Sequence, residues 1–280
     1  MCGANAVIDK PAPTLADLGT PLARGRTAEV YAWEPGWVLK LFLPHFSQSS
    51  VEHEADVARK VCATGLRAPA IDQVVTVGGR YGILYERIDG VSLLQILTRR
   101  PWRLVPIARL MARLHADMHG RPAPTLPAQR ARLIRKIERA APLFPQLRPK
   151  VLATLQQLPD SDCLCHGDFH PDNILETTQG PVIIDWNDAT HGHPLADVAR
   201  TLLLIRFGSA PDGVVWFTAA QAVRWIMRGV YLYNYRRWRS DGNDALRQWL
   251  IPITAARLEE RIVEEEPHLL AYLERLFDAL

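Results

Sequence analysis

The stretch Cys165-His166-Gly167-Asp168-Phe169-His170-Pro171-Asp172-Asn173-Ile174-Leu175, followed by Val182-Ile183-Ile184-Asp185-Trp186-Asn187-Asp188, decides the reading of this chain. The first segment is the densest polar constellation in the sequence. The second is an apolar strand that ends in carboxylates, where a sheet presents ligands at its edge. Together they suit phosphoryl transfer, which asks for little covalent help from a protein. That reaction needs a carboxylate beside the acceptor hydroxyl, oxygen ligands for Mg²⁺ and a cation on the phosphates. Asp168 is placed to accept or orient the acceptor's proton. Asn173, through its carbonyl oxygen, and Asp185 are expected to hold Mg²⁺, a hard ion that prefers oxygen.

The joint pattern His166-Gly167-Asp168-x-His170-x-x-Asn173 with Ile184-Asp185-Trp186 resembles the aminoglycoside phosphotransferase and choline kinase group, distant relatives of the protein kinases. The spacing from Asp168 to Asn173 matches the kinase catalytic loop, and Asp185 stands where the D-F-G aspartate would stand. The resemblance implies a two-lobed α+β fold of protein-kinase type, with a small β-rich N-lobe and a larger, mostly helical C-lobe. It further implies ATP and Mg²⁺ bound where the lobes meet. His170 occupies the place of the catalytic-loop lysine of protein kinases, from which it would touch the γ-phosphate; the alternative is a solvated or packing role.

Working upstream, such a fold requires a strand lysine and a helix glutamate to pair with it. Lys40, one of five lysines, lies inside Val38-Leu39-Lys40-Leu41-Phe42, where burying it is costly unless it is paired. Glu54 lies eleven residues before Gly65, the spacing the family shows before a Gly-x-x-x-Pro turn; Glu52 is the alternative partner. Ala23 to Tyr31, with Gly25 and Thr27, fits the phosphate-covering loop. Leu84 to Ile88 fits the segment joining the lobes, where the backbone of Glu86 and Ile88 would meet adenine. The resemblance spans roughly residues 20 to 207.

Departures narrow the function. The phosphate loop has one glycine, Gly167 replaces the arginine of protein kinases, and no A-P-E segment follows Asp185. A protein substrate docking on an activation loop is therefore disfavoured, and a small-molecule hydroxyl acceptor is expected. Aminoglycoside-, choline- and sugar- or amino-alcohol-like acceptors all fit, because fold does not choose among them.

The remaining chain supplies the frame. Residues 1–20 read as a lead-in, 21–89 as the N-lobe and 90–280 as the C-lobe. Strands are expected at Pro21–Ala23, Ala28–Trp33, Trp37–Phe42, Val74–Val77 and Tyr81–Ile88, with a helix from Ser50 to Thr64. After Gly90, helical periodicity runs over Val91–Thr98, Leu104–His119, Ala128–Ala141 and Arg148–Leu158. It resumes from Leu195, with an aromatic-rich helix over Val214–Arg239. Short strands are expected at Cys163–Cys165, Asn173–Glu176 and Val182–Asp185.

The 280 residues are 48% apolar and 22% charged, with a formal charge of +3, an ordinary globular composition. Arginines are dispersed, so no nucleic-acid face is indicated. With no secretory h-region, no apolar run of membrane-spanning length and four cysteines that form no C-x-x-C pair, a cytoplasmic protein is expected.

Each singled-out residue also has a plainer role. His166 reads as structural, Cys163 and Cys165 as packing residues, and Asp197 as a first-turn carboxylate that ties down the catalytic loop or helps its helix dipole. Asp188 either supports the metal or caps the segment after it. Glu259, Glu260 and Glu264–Glu266 read as a solvated face or, in a minority reading, as an amine-binding one. Most of Trp216, Trp225, Tyr231, Tyr233, Tyr235 and Trp238 are expected in the core. One rival function is a metal-dependent hydrolase built from His166, Asp168, His170, Asp185, Asp188, His191 and His193. Another is a catalytically silent nucleotide-binding protein of kinase shape, which the presence of Lys40, Asp168, Asn173 and Asp185 disfavours.

Overall fold

The computed structural model describes residues 14–208, 219–239 and 243–278. Most of the expected lead-in, Cys2, and the start of the aromatic helix with Trp216 lie outside the described residues. The chain divides into two compact units. One runs through Arg59 and resumes over Pro69–Ile88; the other takes Lys60–Ala68 and the chain from Asp89 onward.

In the first unit, β1 (Ala23–Arg24), β2 (Ala28–Ala32), β3 (Trp37–Phe42), β4 (Ile71–Val77) and β5 (Arg80–Glu86) form an antiparallel sheet in the order β1-β2-β3-β5-β4. Helix α1 (Gln48–Ala63) follows β3. Alternation along the strands gives the sheet two apolar faces. Ala28, Phe42 and Ile83 pack with Val51 and Ala55 of α1, while Tyr31, Leu39, Leu41, Val77 and Leu84 form a second cluster. Lys40 shares its face with Phe42, two residues on, so the pleat itself delivers the lysine to the side that carries α1. Gly82 sits under a tight contact, where an added Cβ would stand 2.6 Å from the Leu39 side chain and 3.1 Å from Lys40 O.

The second unit is mostly helical: α2 (Leu93–Arg99), α3 (Leu104–His119), α4 (Gln129–Ala140), α5 (Arg148–Gln157), α6 (Pro194–Phe207), α7 (Ala219–Trp238), α8 (Asn243–Arg257) and α9 (Glu266–Asp278). Two small sheets accompany them. β6 (Val91–Ser92) pairs with β8 (Ile174–Thr177), which pairs with β9 (Gly180–Ile183); β7 (Cys163–Cys165) pairs with β10 (Thr190–Gly192). Helix α6 is the hub of this unit, buried from Pro194 through Leu203 and again at Ile205.

Several expected elements shift for local reasons. Val91 opens a strand rather than a helix, because the Ser92 hydroxyl accepts from the Gln95 amide at 3.2 Å and caps α2, which starts at Leu93. β9 ends at Ile183, two residues before Asp185, which sits at φ 62°, a left-handed backbone that ends strand pairing. β8 starts at Ile174, since Pro171–Asn173 is a 3₁₀ turn. β10 carries no alternating apolar pattern and escapes sequence reading. In α7 only Tyr231 and Tyr235 of the named aromatics are core, while Trp225, Tyr233 and Trp238 are exposed.

Candidate active site

In the first unit, Lys40 Nζ donates to Glu54 Oε1 at 2.7 Å, and the Tyr85 hydroxyl donates to the same oxygen at 3.3 Å. Glu54 is buried, whereas Glu52 is exposed and accepts from Gln48 one turn earlier. Periodicity explains the choice: Glu54 lies between Val51 and Ala55 on the stripe that packs against the sheet, and Glu52 does not. Gly25 and Thr27 lie in the turn joining β1 and β2. The Gly25 amide donates to Ala28 O at 2.9 Å, and an added Cβ there would find ordinary contacts. Glu86 closes β5; its amide donates to Ala70 O and its carboxylate accepts from the Ala70 amide, with Ile88 two residues on.

The loop His166–Phe169 in the second unit is fastened peptide by peptide to one face of α6. Asp197 Oδ2 accepts from the His166 amide at 2.6 Å and Oδ1 from the Gly167 amide at 2.8 Å. The Arg200 guanidinium donates through Nε to Gly167 O and through Nη2 to Asp168 Oδ1, both at 3.2 Å. The Thr201 hydroxyl donates to Phe169 O at 3.0 Å. Positions 197, 200 and 201 are separated by three and four residues, so they lie on one helix face. Gly167 must be glycine: φ is +81°, and an added Cβ would stand 2.5 Å from Asp188 O.

Behind this loop, Asp197 Oδ2 also accepts from His115 and His119, at 3.1 and 3.3 Å. Tyr231 bonds His115 Nδ1 at 2.6 Å, and Tyr235 bonds His119 Nδ1 at 2.8 Å, so each tyrosine donates and each histidine directs its own N–H toward Asp197. Two i, i+4 pairs on α3 and α7 thus interlock across one carboxylate. Burial, then the neighbouring His115, depresses His119 to about 3 against the pull of Asp197, so it stays neutral. For Asp197 burial pushes the carboxyl up, but the interactions with His115 and His119 outweigh it and hold it well below the usual range.

Asp168 is held ionised. Burial pushes its carboxyl up, but the His170 hydrogen bond, the Arg200 charge and both nearby histidines together bring it far below the ordinary value. His170 Nε2 lies 3.3 Å from Asp168 Oδ2, while its Nδ1 accepts from the Asp172 amide. That pairing fixes the tautomer with the proton on Nε2, aimed at Asp168. Asn173 Nδ2 donates to Asp168 O at 3.0 Å and lies 3.5 Å from Asp168 Oδ2. Its amide nitrogen is thereby engaged, which assigns Oδ1 as the atom for a hard cation. The Ile184 amide donates to Asn173 O at 3.0 Å, binding the residue before Asp185 to the His166–Asn173 segment.

Other expectations are corrected here. Asp188 is an ion-pair partner rather than a helix cap: it meets Arg132 and, at 3.9 Å, Lys136, one turn apart on α4. The acidic stretch is only partly a solvated face: Glu264 is exposed, but Glu260 and Glu265 are taken up by arginines. Glu260 accepts from Arg200 at 2.6 Å and from Arg257 at 2.5 Å, and buried Glu265 takes a bidentate bond from Arg257. The histidines of the hydrolase reading go separate ways. His166 bonds Ile184 O and the Asp168 amide, His193 caps α6, and His191 faces Asp162. Among the described residues the convergent group is His115, His119 and Asp197, outside that set. Cys165 is buried and its thiol is pushed well above the ordinary value by burial, as suits a packing residue. Sequence reading missed Arg200, His115, His119 and the pairing of Glu260; the i+3 spacing of Arg200 from Asp197 was the one local signal available.

Residues 19–240 match the model of the phosphotransferase enzyme family APH. Acyl-CoA dehydrogenase family member 11 of Rattus norvegicus is 41% identical over 70 residues, which is 20% of this chain and 9% of that protein. The match therefore spans under a tenth of that curated relative's length. A thermostable mutant of aminoglycoside phosphotransferase APH(4)-Ia superposes with a TM-score of 0.63 at 16% identity, covering 93% of this chain and 92% of that one. Its complex with ADP and hygromycin B gives 0.61. Choline kinase from Cryptosporidium parvum gives 0.56 at 17% identity, covering 93% and 90%. These likenesses show the protein-kinase-like fold of that family. Among the described residues no helix is long and apolar enough to cross a membrane.

Proposed function

The chain belongs to the APH phosphotransferase enzyme family, and we propose that it transfers the γ-phosphate of ATP to a hydroxyl of a small molecule. The observation that carries this reading is the setting of Asp168, a half-buried carboxylate held by Arg200 and His170, with its backbone carbonyl bonded by Asn173 five residues on. A carboxylate of such low basicity orients an incoming hydroxyl by accepting its hydrogen bond, and takes the proton only as the new P–O bond forms. That is the help a loose phosphoryl-transfer transition state needs, since positioning and charge supply most of the catalysis. His170, with Nε2–H aimed at Asp168, acts in this reading as a positioning residue.

Other residues take roles one by one. Lys40, set by Glu54, neutralises phosphate charge; the turn at Gly25 and Thr27 covers the phosphates; the backbone of Glu86 and Ile88 receives the adenine. Asn173 Oδ1 and the Asp185 carboxylate suit Mg²⁺ in donor type, and such an ion would shield the charge on the transferring group. A neighbour in ternary complex with ADP and hygromycin B is consistent with nucleotide binding and a small-molecule substrate.

The test is thermal melting with MgATP, MgGTP and metal alone, for the wild type and Asp185→Ala, followed by ADP release across an acceptor panel. A nucleotide-dependent rise that Asp185→Ala removes supports the reading by linkage. Full ADP release in Asp168→Ala, or stabilisation by zinc alone without a nucleotide response, would defeat it.

A further inference from the structure

The α4 face beside the loop that carries Asp168 opens on a small pocket of about 50 Å³, room for one anionic group rather than a whole acceptor, lined among others by Arg132, Lys136, Gly167, Asp188, Arg200 and Arg257. Gly167 precedes Asp168 in the chain, and Arg200 bonds Asp168 directly, so this pocket adjoins the proposed reacting centre. We propose that it receives the acceptor through an anionic group, a carboxylate or a phosphate, carried by the same molecule that presents its hydroxyl to Asp168. The inference rests on the phosphotransferase reading and adds the charge of the substrate to it.

Pairing within the wall decides which sign of charge the pocket can take. Every carboxylate in or behind that wall already has its cation or its donors. Glu260 lies between Arg200 and Arg257, Glu265 is bidentate on Arg257, Glu259 meets Arg139, and Asp197 is filled by two amides and two histidines. An acceptor amine entering here would find no carboxylate awaiting it. The cations are not matched in the same way. Arg132 and Lys136 share the one carboxylate of Asp188; Arg132 is in direct contact with Oδ1, and Lys136 Nζ is left 3.9 Å from Oδ2, beyond hydrogen-bond distance. Among the described residues no carboxylate lies closer to Lys136.

The electrostatics at that amine agree. Burial, then the charges of Arg200 and Arg132, pull Lys136 down to about 8, and Glu260 and Glu259 only partly oppose them. A partly buried ammonium facing two guanidiniums with half a counter-ion has a standing deficit of negative charge. An oxyanion between Lys136 and Arg132 supplies it and would form charge-assisted bonds with both. The Lys136 side chain keeps 21% exposure and that of Arg132 24%, so both can be reached from solvent.

The test uses the full chain saturated with MgADP, at constant ionic strength, followed by thermal melting. Malonate and inorganic phosphate serve as the carboxylate and phosphate probes, choline as the cationic one. The expected result is a saturable rise with malonate or phosphate, whichever group the pocket takes. Its midpoint should move at least fivefold higher in Lys136→Gln and the response should vanish in Lys136→Glu, with no response to choline. A saturable response to choline, an anion response unchanged in Lys136→Glu, or no saturable response to any probe would overturn the proposal. The MgADP shift is read in the same experiment. If it is present in both variants while the anion prediction fails, only the acceptor charge is wrong. If it is absent in the wild type, the phosphotransferase reading itself fails.

Discussion

Lys40 in the first unit and Asp197 in the second are both charges set among apolar residues, and they are answered very differently. The Lys40 pair is a strand residue meeting a helix residue, and its two side chains keep 17% and 9% of their exposure. Asp197 is out of reach of solvent and accepts from two amides and two histidines, each histidine backed by a tyrosine. Asp197 is complete and therefore architectural; its work is to hold the loop that carries Asp168. Lys40 keeps a share of its exposure, as the proposed role of meeting a phosphate requires. Degree of saturation separates a charge that builds the site from a charge that serves it.

The largest expected effect breaks the saturated side. Asp197→Ala leaves two amides and two histidines without an acceptor, at a cost of ~3–5 kcal/mol. Denaturant unfolding should show that loss, together with the disappearance of turnover. A variant that is stable and active would mean the cluster does not hold the loop.

Acid should reach the same cluster next. His119 titrates near 3 in the fold and near 6.5 when unfolded, so between those values the unfolded state binds the extra proton. Stability should therefore fall as pH drops from 6.5 towards 3, by up to ~4 kcal/mol. A His119→Gln variant should show a shallower fall over that window in denaturant titrations.

Arg200→Gln sharpens the link from α6 to the reaction. Removing its charge and its bond lets Asp168 rise, so turnover should drop roughly tenfold to a hundredfold, a loss of ~1.4–2.8 kcal/mol, and an acid limb should appear in the pH profile. A purely structural role would lower turnover without moving that limb.

Lys40→Met tests the open side. Glu54 keeps its bond from Tyr85, so the stability loss should be only ~1–3 kcal/mol while the MgATP melting shift is lost. Equal losses of stability in Lys40→Met and Asp197→Ala would erase the distinction between the two charges.

The smallest effect concerns Lys136. The groups facing it are Arg132 on its own helix, Arg200 on α6, Asp188, and Glu259 and Glu260 after α8. With the amine at about 8, affinity for an anionic acceptor should weaken as pH rises past that value, because the neutral amine no longer binds the anion. In Lys136→Gln this limb of kcat/KM should be flat.

The candidate residues of the proposed site could be picked out without coordinates because their signals are local. The loop from His166 to Asn173 and the strand ending at Asp185 are contiguous, and Lys40 announces itself as a charge inside an apolar strand. Helix α3 is bounded as its periodicity predicts, over Leu104–His119. What stayed hidden belongs to partners far apart in sequence. His115 and Tyr231 are 116 residues apart, and Arg200 and Glu260 are 60 apart. An acidic run such as Glu259–Glu266 reads as solvated from composition alone, because composition does not record which arginine comes to lie against it.

Local pattern alone supplied the alternation and helical periods that set the fold, and it singled out Asp168, Asn173, Asp185 and Lys40 as the candidates for the proposed chemistry. Only the tertiary structure decided how each charge is answered. It chose Glu54 over Glu52, gave Asp197 four donors, turned His170 toward Asp168, and left Arg132 and Lys136 to share Asp188. The physical reason is that a local pattern fixes which face a side chain takes. The energy of a buried charge depends instead on the full set of neighbours, which chain folding assembles from distant segments.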